Sequence, residues 1–239
     1  MFMETVLVIL IFFLIAAIHG FLGFGAAIFA TILLMPLLPL KTIIPLIAIQ
    51  TLFMNIYLFL KLKSHFRIEQ IKPLIIGTII GLPIGAYGFI LLDIATIKMM
   101  LGILIILFVL SKNSSFIPNL KTSPIVNIFL GTLAGALGVA FNINGPPVII
   151  YAHSQTWNAH EKKITLITYF LLSGIFVVIT HAITGISNLL MIKESLLVAP
   201  FSILGAATGH HFFDKFDHSK VEKFIFFFLL IIGILFILQ

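Results

Sequence analysis

Apolar runs long enough to enter or cross a lipid bilayer follow one another along almost the whole chain, and no soluble core-and-surface arrangement can absorb them. They are Thr5–Ile18, Ala26–Leu40, Ile43–Leu60, Pro73–Leu92, Ile97–Leu110, Ile125–Phe141, Val148–Ala152, Ile164–Ile183, Leu189–Gly209 and Val221–Leu238. Only 9% of the residues are charged, against roughly 25% in soluble domains. The solvent of this chain is therefore lipid. Lipid cannot hydrogen-bond an open backbone, so the spans must satisfy their own N–H and C=O groups as helices. The fold class expected is all-α and polytopic. A net charge of +6 would raise nucleic acid in a soluble protein. Here Lys and Arg collecting in cytoplasmic loops accounts for it, and no nucleic-acid partner is expected. Cysteine is absent, which excludes disulfides and thiolate chemistry. Glu4 rather than a basic segment precedes the first run, so that run reads as a retained helix and not a cleaved signal.

A full span takes about 20 helical residues. The pieces beside Gly20–Gly25 and beside Asn142–Pro147 are shorter. Each reads either as a broken, re-entrant element or as two thin tilted spans joined by a tight loop. Either way the chain returns to the same side, each half makes an odd number of crossings, and the second half inserts upside down. The organisation expected is a first repeat over residues 1–112, a cytoplasmic linker over 113–123 and an inverted repeat over 124–239. Each repeat holds a broken element and three full spans, giving eight to ten helical segments. With Lys61–Lys72 in the cytoplasm, eleven basic residues share that side. Lys41, Lys98 and Lys193 alone fall on the other. That bias is the positive-inside pattern of a multi-pass protein of a bacterial inner membrane, with both termini outside. Gly20-x-x-Gly23 pairs with Gly135-x-x-Gly138, and one constant offset takes Gly81 to Gly205, Gly85 to Gly209 and Asp93 to Asp217.

Paired interruptions in the two halves of an inverted repeat point to a transporter's binding site. Gly20, Gly23 and Gly25 bare the backbone of the first break, although close helix packing or a kink would use the same glycines. The helix after them would aim free N–H groups and a positive dipole end into the break. In the second break, Gly145, Pro146 and Pro147 start a helix whose N-terminus also faces inward. Asn142 and Asn144 tolerate left-handed backbone and donate amide N–H to an oxyanion. An anion site without buried Lys or Arg is the result. His19 stands beside the first break, either to bind substrate or carry a coupling proton, or as a neutral imidazole on a carbonyl. His153 mirrors it at the second. Gln50 and Asn55 are cavity candidates and Asn127 a weaker one, while His181, His210 and His211 fall at span ends. Asp93 and Asp217 would cap following helices. No nucleotide-binding, metalloprotease or metal-cluster motif is present, so neither a cofactor nor a metal is expected. The competing class is an intramembrane enzyme built on His19, His153 and the Asn142/Asn144 pair, for which no nucleophile–base pair is evident.

The stretch Gly20-Phe-Leu-Gly-Phe-Gly-Ala-Ala with Pro36-Leu-Leu resembles the Gly-rich first signature of the sulfite exporter TauE/SafE family, also called the toluene-sulfonate uptake permease family. Gly135-Ala-Leu-Gly-Val-Ala-Phe-Asn-Ile-Asn-Gly-Pro-Pro resembles its Gly-Gly-Pro-Pro signature. Ala26, Ala27, Asn142 and Asn144 stand where many members carry glycine. The resemblance implies a permease for sulfite, sulfonates or similar small organic anions. Its partners would be that anion, the lipid bilayer and a coupling proton, with room for homo-oligomerisation.

Overall fold

A computed structural model describes residues 2–62, 68–113 and 123–213, with a few positions beyond them. Lys63, Arg67, most of the expected linker, Asp217 and most of the last apolar run lie outside the described residues. The described chain is helical: α1 Phe2–Leu22, α2 Ala26–Leu34, α3 Leu40–Leu62, α4 Lys72–Leu91, α5 Ile94–Asn113, α6 Pro124–Phe141, α7 Gly145–His153, α8 Ala159–Ile183 and α9 Leu189–Phe212. Six of these, α1, α3, α4, α6, α8 and α9, are long and apolar enough to cross a membrane. At 1.5 Å per residue, nine-residue α2 and α7 reach only about 13 Å.

Local chemistry sets several of the helix starts. The Asn158 side chain accepts the Glu161 backbone N–H while the Glu161 carboxylate accepts the Asn158 N–H, a reciprocal capping box at α8. Asn188 caps α9 through the Met191 N–H, Ser123 caps α6 through Val126, and Asp93 accepts both the N–H and the hydroxyl of Thr96 at the head of α5. Those two bonds hold the exposed Asp93 carboxyl below its usual range. Inside the spans Thr31, Thr78, Thr132 and Thr168 each return their hydroxyl proton to the carbonyl four residues back. A polar atom is thereby satisfied without water.

Glycines decide which helices touch. A Cβ on Gly81 or Gly85 would overlap the carbonyl oxygens of Thr132 and Ala136, and one on Gly205 or Gly209 those of Phe13 and Ala17. Backbone thus lies against backbone along α4–α6 and along α1–α9, the small-residue packing of membrane helices. Residue numbers rise together along both seams: Gly131 meets Leu74 while Gly135 meets Thr78. Both pairs are therefore parallel. With only α5 between α4 and α6, α5 must carry the chain back across the layer.

The same logic fixes the broken elements. Gln50 of α3 bonds Ser195 and Ser202 of α9, while Asn55 bonds His19, next to the Gly20 that abuts Ala206. So α3 rises along α9 in the direction of α1. Because α1 and α3 point the same way, α2 has to double back between them. Thr78, which abuts Gly135 of α6, bonds Tyr169 of α8, and Gly138 lies by Val177, so α6 and α8 are parallel and α7 doubles back likewise.

Exchange of α1, α2, α3 and α4 with α6, α7, α8 and α9 leaves the packing pattern unchanged. The α1–α9 seam becomes α6–α4, α3–α9 becomes α8–α4, and α3–α8 maps onto itself. α3 lies at the centre, 61% buried along its span where the others reach at most half. Leu10, Leu14, Ile79, Ile80, Ile84, Phe129, Leu133, Leu197 and Leu204 face outward as an apolar belt. The chain is a multi-pass membrane protein.

Candidate functional site

Each first helix stops on a left-handed residue. At α1 this is Gly23, φ 82, whose N–H bonds the His19 carbonyl. At α6 it is Asn142, φ 55, whose N–H bonds Gly138 while Ile143 bonds Leu137. The Asn142–Gly138 bond is the 5→1 bond of an αL helix stop, with asparagine in the glycine position. Gly23 and Asn142 are 119 residues apart, as are the first residues of α2 and α7, of α3 and α8, and the seam residues Phe13 and Thr132. The structural partner of Gly23 is therefore Asn142 and not Gly138. In α4 and α9 the sequence offset that pairs Gly81 with Gly205 and Gly85 with Gly209 does match the seam contacts.

Both breaks line one cavity of about 50 Å³, room for a few waters or one small oxyanion. Its walls include His19, Gly25, Asn142, Asn144, Gly145 and Pro146, with Thr51 and Asn55 from α3 and Phe170 and Gly174 from α8. Thr51, Asn55, Phe170 and Gly174 each lie about 10 to 17 Å from the nearer end of their helix. The pocket therefore sits deep within the spans.

The donors come unequally from the two halves. Gly25, φ 93, caps α2, and Ala26, Ala27 and Ile28 at its open end all line the cavity. Their N–H groups have no partner within the helix. At α7 the prolines at 146 and 147 remove two such donors, so Gly145 N–H is what that first turn offers. The asparagine amides fill the deficit. Asn144 Nδ2 donates to Ser173 Oγ at 3.0 Å and Asn142 Nδ2 to Thr51 Oγ1 at 3.3 Å, and an amide nitrogen carries two N–H bonds, leaving a second for a ligand. His19 is 3% exposed, with Nε2 2.9 Å from Asn55 Oδ1 and no hydrogen-bond partner on Nδ1. No Lys, Arg, Asp or Glu lines this cavity among the described residues.

Other expected site residues fall elsewhere. Gly20 lies inside α1, where a Cβ would overlap the Ala206 carbonyl, so it is a seam glycine. Gly23 turns the break but packs on the Lys163 stem, and Pro147 is one residue beyond the wall. Gln50 is wholly buried, donating to Ser195 O at 2.7 Å and accepting from Ser202 Oγ at 2.8 Å. Gln50→Leu removes both bonds between helices and is expected to destabilise by about 1–2 kcal/mol. The readout is a lower melting temperature in detergent. His181 bonds the Val139 carbonyl, and the His153 side chain lies outside the described residues. Among the described residues no three His, Asp or Glu side chains gather to hold a metal.

Thr51, Ser173 and Gly174 were not singled out in the sequence. Thr51 shares a helix face with Asn55 (i, i+4), and that polar pair in an apolar span is the signal that could have found it. Lys163, one of the eleven basic residues placed on the cytoplasmic side, is 2% exposed within α8.

Two re-entrant elements, one following the first helix of each half and both lining a single deep pocket, fit the transporter class of membrane proteins. The sulfite exporter TauE/SafE family model matches residues 8–236, and the chain belongs to that family. No curated protein and no solved structure matches it significantly.

Proposed function

We propose that this protein is a secondary transporter that moves a small anion, sulfite or an organosulfur relative, across the bacterial inner membrane by alternating access. The two seam-joined units, α1–α9 with α3 and α4–α6 with α8, would rock against each other at the α3–α8 contact, with the anion held between the two breaks. What carries the reading is that both breaks open into one pocket deep within the spans. The donors suit an anion: the open end of α2, Gly145 N–H and the Asn142 and Asn144 amides. They are neutral, so the anion is held without a counter-charge that would slow its release. His19 would bind the substrate or take the coupling proton.

The test is uptake of labelled sulfite into vesicles of purified protein, with thiosulfate, methanesulfonate and acetate as competitors. Saturable uptake, blocked by the sulfur oxyanions and weakly by acetate, is expected. Vesicles that move none of these anions faster than protein-free controls would overturn the reading.

A further inference from the structure

A second cavity of about 240 Å³ lies beside the central pocket. It is framed by Phe21 and Leu22 at the end of α1, Ala152 of α7, and Lys162, Lys163 and Leu166 in the first turns of α8. α8 begins at the end of the molecule where Lys61 and Lys72 also stand. Among the described residues the two cavities share two wall residues, Phe24 and Ile149. Each comes from a different break or its returning helix. Phe24 sits between Gly23 and Gly25, both at positive φ, a backbone setting that few other residues adopt. Gly23 also supplies the space for the Lys163 stem, whose Cγ lies 3.3 Å from where its Cβ would be. The Lys163 ammonium rests 3.6 Å from the Phe213 ring centroid and 3.4 Å from His210 Nδ1.

We infer that this second cavity is an anion-admitting antechamber at the basic end of the molecule, and that Phe24 and Ile149 form the partition between it and the central pocket. The proposal builds on the transport reading: an anion gathers beside Lys162 and Lys163, then passes the partition when Phe24 swings aside. Lys162 and Lys163 both line this low-dielectric recess, and their positive charge raises the local concentration of a small anion and depletes cations. The occupant is a small sulfonate or oxyanion.

The chain has no cysteine, so single introduced cysteines report without background. Full-length protein in detergent is treated with methanethiosulfonate reagents carrying either an ethylsulfonate or an ethyltrimethylammonium group. Ala152→Cys is expected to react about tenfold faster with the sulfonate reagent than with the ammonium one. Ala27→Cys, on the central pocket, should react slowly, and adding Phe24→Ala should speed it about tenfold while leaving Ala152→Cys nearly unchanged. Equal rates or a cation preference at Ala152→Cys overturn the antechamber. Ala27→Cys unaffected by Phe24→Ala overturns the partition, and Ile149→Ala serves if Phe24→Ala does not fold. None of these readings needs transport, so a protein that moved no sulfite would sink the transport reading and leave these outcomes decisive.

Discussion

Vesicles carrying Asn144→Leu are expected to take up sulfite about 10- to 100-fold more slowly than wild type, with the same amount of folded protein in the membrane. Asn144 stands at the mouth of α7, where two prolines have removed the donors that a helix start would normally offer. Its amide nitrogen reaches Ser173 Oγ and lines the pocket. Leucine has similar bulk but no N–H, so an anion in the pocket loses a charge-assisted donor worth about 1.5–3 kcal/mol. The backbone is unaffected, because Asn144 has ordinary right-handed dihedrals. Asn142→Gly makes the complementary test. It keeps the left-handed stop of α6 and deletes only the amide that touches Thr51. Protein yield and melting temperature should stay close to wild type while uptake falls. Full transport by Asn144→Leu and Asn142→Gly together would remove the asparagines from the site.

The spans and the two interruptions were legible in the sequence because composition and Pro/Gly punctuation are local signals. Pro73 and Pro124 each lie in the first turn of their helix, and Asn142 and Gly145–Pro147 bracket the second break as read. Burial faces were not legible. When nearly every side chain is apolar, periodicity no longer tells inside from outside, and Leu14 facing lipid looks the same as Ile15 facing the core. Gln50 and Asn55 share one span and looked alike as cavity candidates. Only the neighbouring helices separate them, since α9 claims the Gln50 amide while Asn55 reaches the pocket beside His19. Lys163 was hidden for the converse reason: a lysine at a span's start is ordinary interface chemistry, and its burial depends on Phe213 from fifty residues away.

The repeat was half visible. Seam glycines of α4 and α9 pair at one offset, whereas α1 and α6 and the breaks pair at another five residues shorter. A single offset cannot hold across the halves because sixteen residues of α9 precede Gly205 where only nine of α4 precede Gly81, which outweighs the shorter turn between α8 and α9. Matching Gly20-x-x-Gly23 to Gly135-x-x-Gly138 followed the letters. The backbone matches instead a glycine to an asparagine, since what is shared is a left-handed stop and either residue can supply it.

Gly20 and Gly25 lie five residues apart in one motif, and their alanine variants are expected to fail in opposite ways. A methyl on Gly20 meets the carbonyl oxygen and Cα of Ala206, and a methyl on Gly209 meets the carbonyl of Ala17. Those obstacles are backbone of a partner helix and cannot rotate away, so α1 and α9 must separate along the whole seam. The cost is about 3 kcal/mol, enough that Gly20→Ala and Gly209→Ala should yield little monodisperse protein by size-exclusion in detergent. Gly25→Ala meets only the ring of Phe29, at 3.8 Å, but its φ of 93 is costly for any residue with a Cβ. Relief of that strain would turn the open end of α2 away from the pocket. Gly25→Ala should therefore fold and be recovered normally while losing most sulfite uptake. A well-folded Gly20→Ala protein that had lost only transport would place Gly20 in the break, and the parallel α1–α9 seam would then be wrong. The contrast tests architecture and site together, because the same small residue serves as a spacer between helices at one position and as a turn on the wall of the pocket at the other.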